Sequence, residues 1–212
     1  MATFVLIHGA GDVGWYWHLV QAELRARGHR SIAPDLPCDD DSAGLAEYAD
    51  TVVTAIGDRT DLVIVGQSLG GFTAPLVCER VSARLMVLVA PMIPAPGEAV
   101  TDYWAGTGWD REPREPHDDV FYQDVTPELA AEARARGRAQ SEARLGEPTP
   151  MRAWPAVPTN VLICRDDRLL PVAYLRRVAR ERLGVVPDEI DGGHTPALSR
   201  PGTLTDHLVG YL

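Results

Sequence analysis

The sequence predicts an α/β fold, a mostly parallel sheet of about six strands with helices on both faces and a small lid insertion. Three observations carry this. Near-continuous apolar runs such as "FVLIH", "DLVIVG" and "RLMVLVAP" recur along the chain, as in strands buried on both faces. Segments of helical period separate them. The alternation breaks only between Met92 and Trp154, a stretch too long for an ordinary connection.

In chain order, "FVLIH" reads as a strand and Trp15 to Arg27 as a helix closed by Gly28. "HRSIAPD" is a short strand, and Leu45 to Ile56 a helix preceded by Asp and Ser caps. "DLVIVG" is followed by a helix from Leu69 to Arg80, then the strand "RLMVLVAP". After the break come the strand "TNVLICRDD", a helix from Val172 to Leu183, "VVPDEI", and a helical stretch to Leu212. Residues 92–154 are rich in Pro, Trp, Tyr and acids, with one helical piece, "TPELAAEARARGRAQ". They hold too few aliphatics for their own core, so residues 1–212 read as one domain with a 92–154 lid inside it.

Composition narrows the chemistry. The 212 residues carry a net charge of −10, which argues against a nucleic acid or an anionic membrane as partner. No basic segment followed by an apolar one opens the chain, and no apolar run approaches a membrane span, so a cytoplasmic protein is expected. Cys38, Cys78 and Cys164 lie in or beside apolar runs and read as reduced, buried residues. All 20 basic residues are Arg; without lysine, Schiff-base chemistry, a pyridoxal anchor and a Walker lysine are excluded. No H-E-x-x-H or clustered Cys/His set is present, and no metal or organic cofactor is expected.

Two motifs compete for the function. Gly9-x-Gly11-x-x-Gly14 follows the first strand, with Asp35 further on, as in a dinucleotide-binding turn. Against that reading, Asp12 would repel a pyrophosphate, and Trp15-Tyr16-Trp17 crowd a helix start that must be close-packed. Gly66-Gln67-Ser68-Leu69-Gly70 is G-x-S-x-G between a strand and a helix, the context a nucleophile elbow requires. Its glycines let the chain pass a sharp turn that lifts the serine above the sheet edge.

Ser68 as nucleophile needs a base, and the base needs an orienting acid. Among His8, His18, His29, His117, His194 and His207, only His194 lies in a glycine-bearing loop just after a late strand. The acid belongs between Ser68 and His194 in chain order. Asp166 and Asp167 both follow a strand there; spacing to Pro171 favours Asp167, leaving Asp166 as a loop partner. Asp191, three residues from His194, is too close along the loop to come first.

The motifs "FVLIHGAGDVGWYW", "LVIVGQSLGGF", "DVFYQDVTPELAAEA", "CRDDRLLP" and "GGHTPALSRP" stand in order over nearly the whole chain. In them the sequence resembles the α/β-hydrolases, in particular the branch of plant methyl esterases and hydroxynitrile lyases. The resemblance implies an oxyanion hole from the backbone N–H groups of Ala10 and Leu69. It also implies a substrate site drawing on Gly9, Gly11, Trp104, His117, Tyr122 and Thr195. Gln67 replaces a histidine common in the family. Thr195 stands where the lyases carry a lysine, and Gly9 where they carry a threonine, so the esterase pattern is the better match. The lid is short, and its aromatics, Tyr103, Trp104, Trp109, Phe121, Tyr122 and Trp154, either line the site or form a packing cluster of their own. The expectation is a carboxylic-ester hydrolase acting on a small-molecule ester. Its alternatives are a lyase, cyclase or acyltransferase on the same triad, or a ligand-binding receptor on a hydrolase scaffold.

Overall fold

The computed structural model describes residues 1–107 and 119–212. Six strands, β1 (Thr3–Ile7), β2 (Arg30–Ile32), β3 (Leu62–Gln67), β4 (Ala83–Val89), β5 (Thr159–Cys164) and β6 (Asp188–Ile190), form one sheet. Every pairing is parallel, in the order β2-β1-β3-β4-β5-β6. The helices are α1 (His18–Ala26), α2 (Leu45–Ile56), α3 (Gly70–Cys78), α4 (Val100–Gly106), α5 (Pro127–Arg136), α6 (Val172–Leu183), α7 (Pro196–Ser199) and α8 (Pro201–Gly210).

The period-2 side-chain alternation of a strand divides the interior into two layers. Val5, Ile7, Ile64, Met86, Leu88, Val161 and Ile163 face the cluster covered by α2, α3 and α6. Their neighbours Phe4, Leu6, Val63, Val65, Val87, Val89 and Leu162 face the cluster under α1, α7 and α8. In α2 the residues Leu45, Tyr48, Ala49, Val52 and Ile56 make the buried stripe, a spacing that keeps one helical face inward. Helix α3 differs: all nine of its residues are buried, so it lies in the core. Each fully buried Leu, Ile or Val contributes about 1.5–3 kcal/mol.

Three local details depart from the sequence reading. The segment from Trp15 begins as a 3₁₀ turn, Gly14–Trp17, before α1. No Asp or Ser side chain caps α2; instead Glu47 reaches back and accepts the Gly44 N–H at 2.8 Å. Helix α4 was not expected; its Tyr103 is buried, and its ring stands edge-on to Phe72 and Tyr174. Among the described residues no helix is long and apolar enough to cross a membrane.

The strand order fixes the place of the site. The chain runs from β1 to β2 on one side of β1, and later to β3 on the other. The loops leaving β1 and β3 therefore diverge, opening a crevice at the carboxyl ends of the strands.

Candidate active site

Ser68 follows β3 directly and holds a left-handed backbone, φ +53°, a conformation that costs a non-glycine residue free energy. Hydrogen bonds hold the turn: the Ser68 N–H donates to Val89 O, and the Ser68 carbonyl accepts from Gly71 and Met92 N–H. The glycines are forced by close approach. A Cβ at Gly66 would lie 2.6 Å from Gly70 O, and one at Gly71 only 1.9 Å from Met92 O.

The loop after β6 brings His194 to the serine. His194 Nε2 lies 2.9 Å from Ser68 Oγ, and His194 Nδ1 lies 2.8 Å from Asp167 Oδ2. An ionised carboxylate only accepts, so the proton sits on Nδ1 and Nε2 faces the serine hydroxyl as acceptor. The other oxygen of Asp167, Oδ1, accepts from Leu169 N–H at 2.8 Å and Leu170 N–H at 3.0 Å. All three side chains are buried.

Three of the rival acids and bases fall elsewhere. Asp166 braces the loops: its Oδ2 accepts the Gly192 N–H at 3.0 Å. Asp191 pairs with Arg165 at 2.5 Å. His8 is buried below the site, where its Nε2 accepts the Leu36 N–H at 3.0 Å and its Nδ1–H donates to Gly9 O at 2.8 Å. Burial pushes its pKa down, which keeps the ring neutral.

A cavity of about 520 Å³ opens over Ser68 and His194. Gly9, Ala10, Gly11, Leu69, Trp104, Tyr122 and Thr195 all line it. Among the described residues, neither the Ala10 nor the Leu69 N–H is taken by an internal hydrogen bond. A Cβ at Gly9 would lie 2.6 Å from Gln67 Oε1, so the glycine makes room for that side chain. Gly11 adopts φ +67° and donates its N–H to Gln140 Oε1 at 3.2 Å. His117 and Trp109 lie outside the described residues. The aromatics divide between the two expectations: Trp104, Phe121 and Tyr122 line the cavity, while Tyr103 and Trp154 pack on the sheet's own core.

Several contacts that support the site were not foreseen from the sequence. Gln67 Nε2 donates to His194 O at 3.1 Å, which ties the base to the elbow. Asp124 Oδ2 accepts the Gly193 N–H at 3.0 Å, and Gln123 Nε2 donates to Asp166 O at 2.6 Å. Thr195 Oγ1 donates to Phe121 O at 2.6 Å. Residues 121–124 thus clamp both loops that carry the acid and the base. Gly192 and Gly193 are small because Asp124 packs there: a Cβ on either would meet its carboxylate at 2.9 Å.

Comparison with known proteins agrees with the fold. An esterase of Oryza sativa subsp. japonica is 36% identical over 108 residues, 45% of this chain and 40% of that protein. The chain thus spans about two-fifths of the length of the curated rice relatives it matches. Methylesterase 8 of Arabidopsis thaliana is 25% identical over 239 residues, 97% of this chain and 88% of that protein. The crystal structure of polyneuridine aldehyde esterase superimposes with a TM-score of 0.84 at 18% identity, covering 100% of this chain and 99% of the other, which is a likeness of fold. The family model described as "Alpha/beta hydrolase family" matches residues 4–206. With six parallel strands, an elbow serine after the third and a histidine loop after the last, the chain belongs to the alpha/beta hydrolase family.

Proposed function

We propose that the protein is a carboxylic-ester hydrolase that works through an acyl-enzyme on Ser68. The observation that carries the reading is the continuous relay from Ser68 through His194 to Asp167, opening onto a cavity lined by two backbone amides that no described group takes. Ser68 Oγ attacks the ester carbonyl while His194 Nε2 takes its proton. Asp167 holds the tautomer and stabilises the imidazolium. The oxyanion is held by the Ala10 and Leu69 N–H groups, each worth about 10²–10³-fold in rate. His8 serves this hole from below. It binds the Gly9 carbonyl, and the planar trans peptide then directs the Ala10 N–H the opposite way. His194 next gives its proton to the leaving alcohol and activates a water that releases the acid. The segment from 92 to 154 acts as the lid that shapes the acyl or alcohol pocket.

Incubation with methyl and p-nitrophenyl esters of small acids tests the reaction class. The expected result is acid and alcohol in equal amounts, with turnover lost in Ser68→Ala. Consumption of the ester without release of the acid would replace hydrolysis by a transfer or elimination on the same triad.

A further inference from the structure

The loop that carries the Ala10 amide is held from two sides. Ala10 stands between Gly9 and Gly11, so the peptides on either side of it turn at little cost unless something outside the loop holds them. His8 holds the first, through Gly9 O at 2.8 Å. The next two are held from the insertion. Gly11 N–H donates to Gln140 Oε1 at 3.2 Å, and Gly11 O accepts the Arg138 N–H at 2.9 Å. Each peptide is planar. Anchoring the peptides before and after Ala10 therefore fixes both of its backbone dihedral angles, and with them the direction of its N–H.

The side-chain amide of Gln140 can serve this loop in one orientation only. Its Nε2 donates to Tyr48 OH and to Ser141 O, both at 3.0 Å. A carbonyl oxygen only accepts, so the nitrogen must face Ser141 O and the oxygen must face the Gly11 N–H. Tyr48 lies on α2 with its ring buried in the core, a firm support for the amide. The chain around Gln140 is fixed as well. Arg138 pairs with Asp35 at 3.0 Å, Ser141 N–H donates to Cys38 O at 2.7 Å, and Arg144 binds Ser42 O at 2.8 Å. The approach to the loop is close: a Cβ at Gly137 would lie 3.0 Å from Gly11 O, and one at Gly11 would lie 3.2 Å from Arg138 O.

Resting on the ester-hydrolase reading, we infer that Gln140 is a positioning residue for the oxyanion hole, aiming the Ala10 N–H through its bond to Gly11, with Tyr48 as its support. One amide of the hole is thus set partly by the insertion. The other, Leu69 N–H, follows the serine turn, which is locked by the bonds of Ser68 to Val89, Gly71 and Met92. It draws nothing from Gln140, so loss of that side chain loosens one donor and leaves the second in place.

The test compares two ketones of matched shape, phenethyl trifluoromethyl ketone and phenethyl methyl ketone. Ser68 Oγ adds to the fluorinated carbonyl: a C–O bond forms, the carbonyl π pair becomes the oxyanion, and the serine proton passes to His194. The methyl ketone fills the same space and adds far less readily, so the ratio of the two inhibition constants reads the oxyanion and cancels general binding. Removing an oxyanion donor outright costs about 10²–10³-fold, and a donor left in place but loosened should cost about tenfold. In Gln140→Met, which keeps the length of the side chain without its acceptor, the ratio should fall about tenfold, and kcat on p-nitrophenyl acetate with it, while KM stays within about twofold. Tyr48→Phe should lower the ratio about threefold, and the double variant should be no worse than Gln140→Met alone, because both act through one amide. Ser141→Ala removes the bond to Asp41 Oδ1 at 2.7 Å and leaves Gln140 in place; there the ratio should change less than about twofold. An unchanged ratio in folded Gln140→Met, or an equal fall in Ser141→Ala, overturns the inference. If Gln140→Met does not fold, Tyr48→Phe decides by the same ratio. The wild-type protein separates the two readings. Ester turnover with a preference for the fluorinated ketone upholds hydrolysis whatever the variants show. Absence of both turnover and preference removes the hydrolase reading and the inference together.

Discussion

The two walls of the crevice are built on different principles. The sheet wall carries Ser68, Asp167 and His194 on loops that leave β3, β5 and β6, and every one of these side chains is buried and hydrogen-bonded. The facing wall is drawn from the long connection between β4 and β5. It offers ring faces and an exposed acid: Trp104, Phe121, Tyr122 and Glu142. The first wall is rigid because its turns are locked by close glycine contacts, and it can only place atoms. The second is set by packing of irregular chain, and it meets the first through residues 121–124. The difference assigns chemistry to the strand ends and selection to the insertion.

Breaking the sheet wall should have the largest effect. In Asp167→Asn the amide oxygen is drawn to the two backbone donors, Leu169 and Leu170 N–H. The NH₂ group then faces His194 Nδ1 and forces the proton onto Nε2, where it blocks the serine. We expect kcat on an activated ester to fall about 10⁴-fold, as replacement of a triad aspartate does in the chymotrypsin case. The neighbouring Asp166→Asn keeps an oxygen for the Gly192 N–H and should change kcat less than about threefold. Equal losses in the two variants would contradict the assignment of Asp167.

A smaller effect is expected where the walls meet. Asp124 reaches from the insertion to the Gly193 N–H and acts as a positioning residue for His194. Asp124→Ala should lower kcat about 10–100-fold with KM little changed, because a loosened base costs reactive geometry more than binding. Asp124→Asn, which can still accept from Gly193, should recover most of that loss. A rise in KM alone, or no recovery by Asn, would place Asp124 in the binding wall instead.

The same division explains what could be read from the sequence. Helices α2 and α6 begin and end where their apolar periodicity begins and ends, at Leu45–Ile56 and Val172–Leu183. The strands announce themselves as continuous Val/Ile/Leu runs because both faces are covered. That Ser68, His194 and Asp167 come together could be anticipated because a nucleophile elbow and a fixed chain order constrain them. The insertion offers no such period. Helix α4 is short, and its buried Tyr103 is matched to Phe72 and Tyr174 from distant parts of the chain. Asp124 and Gln123 act through single hydrogen bonds across 69 and 43 residues of sequence, and no local pattern records such a contact. Gln67 stood out only as a departure from the family's histidine; that its amide binds His194 O and that it takes its space from Gly9 are visible only in three dimensions. The Asp12 carboxylate illustrates the other limit: its misfit with a pyrophosphate is legible in sequence, whereas its place in the wall of the cavity is visible only in three dimensions.

Covalent labelling reads whether Ser68 is an activated nucleophile. The purified protein is treated with a fluorophosphonate probe, and the adduct is mapped by mass spectrometry, with Ser68→Ala and His194→Ala alongside. A single adduct is expected on Ser68, absent from Ser68→Ala and formed at least 10³-fold more slowly in His194→Ala. A folded wild-type protein that stays unlabelled, or labelling that does not depend on His194, would contradict it.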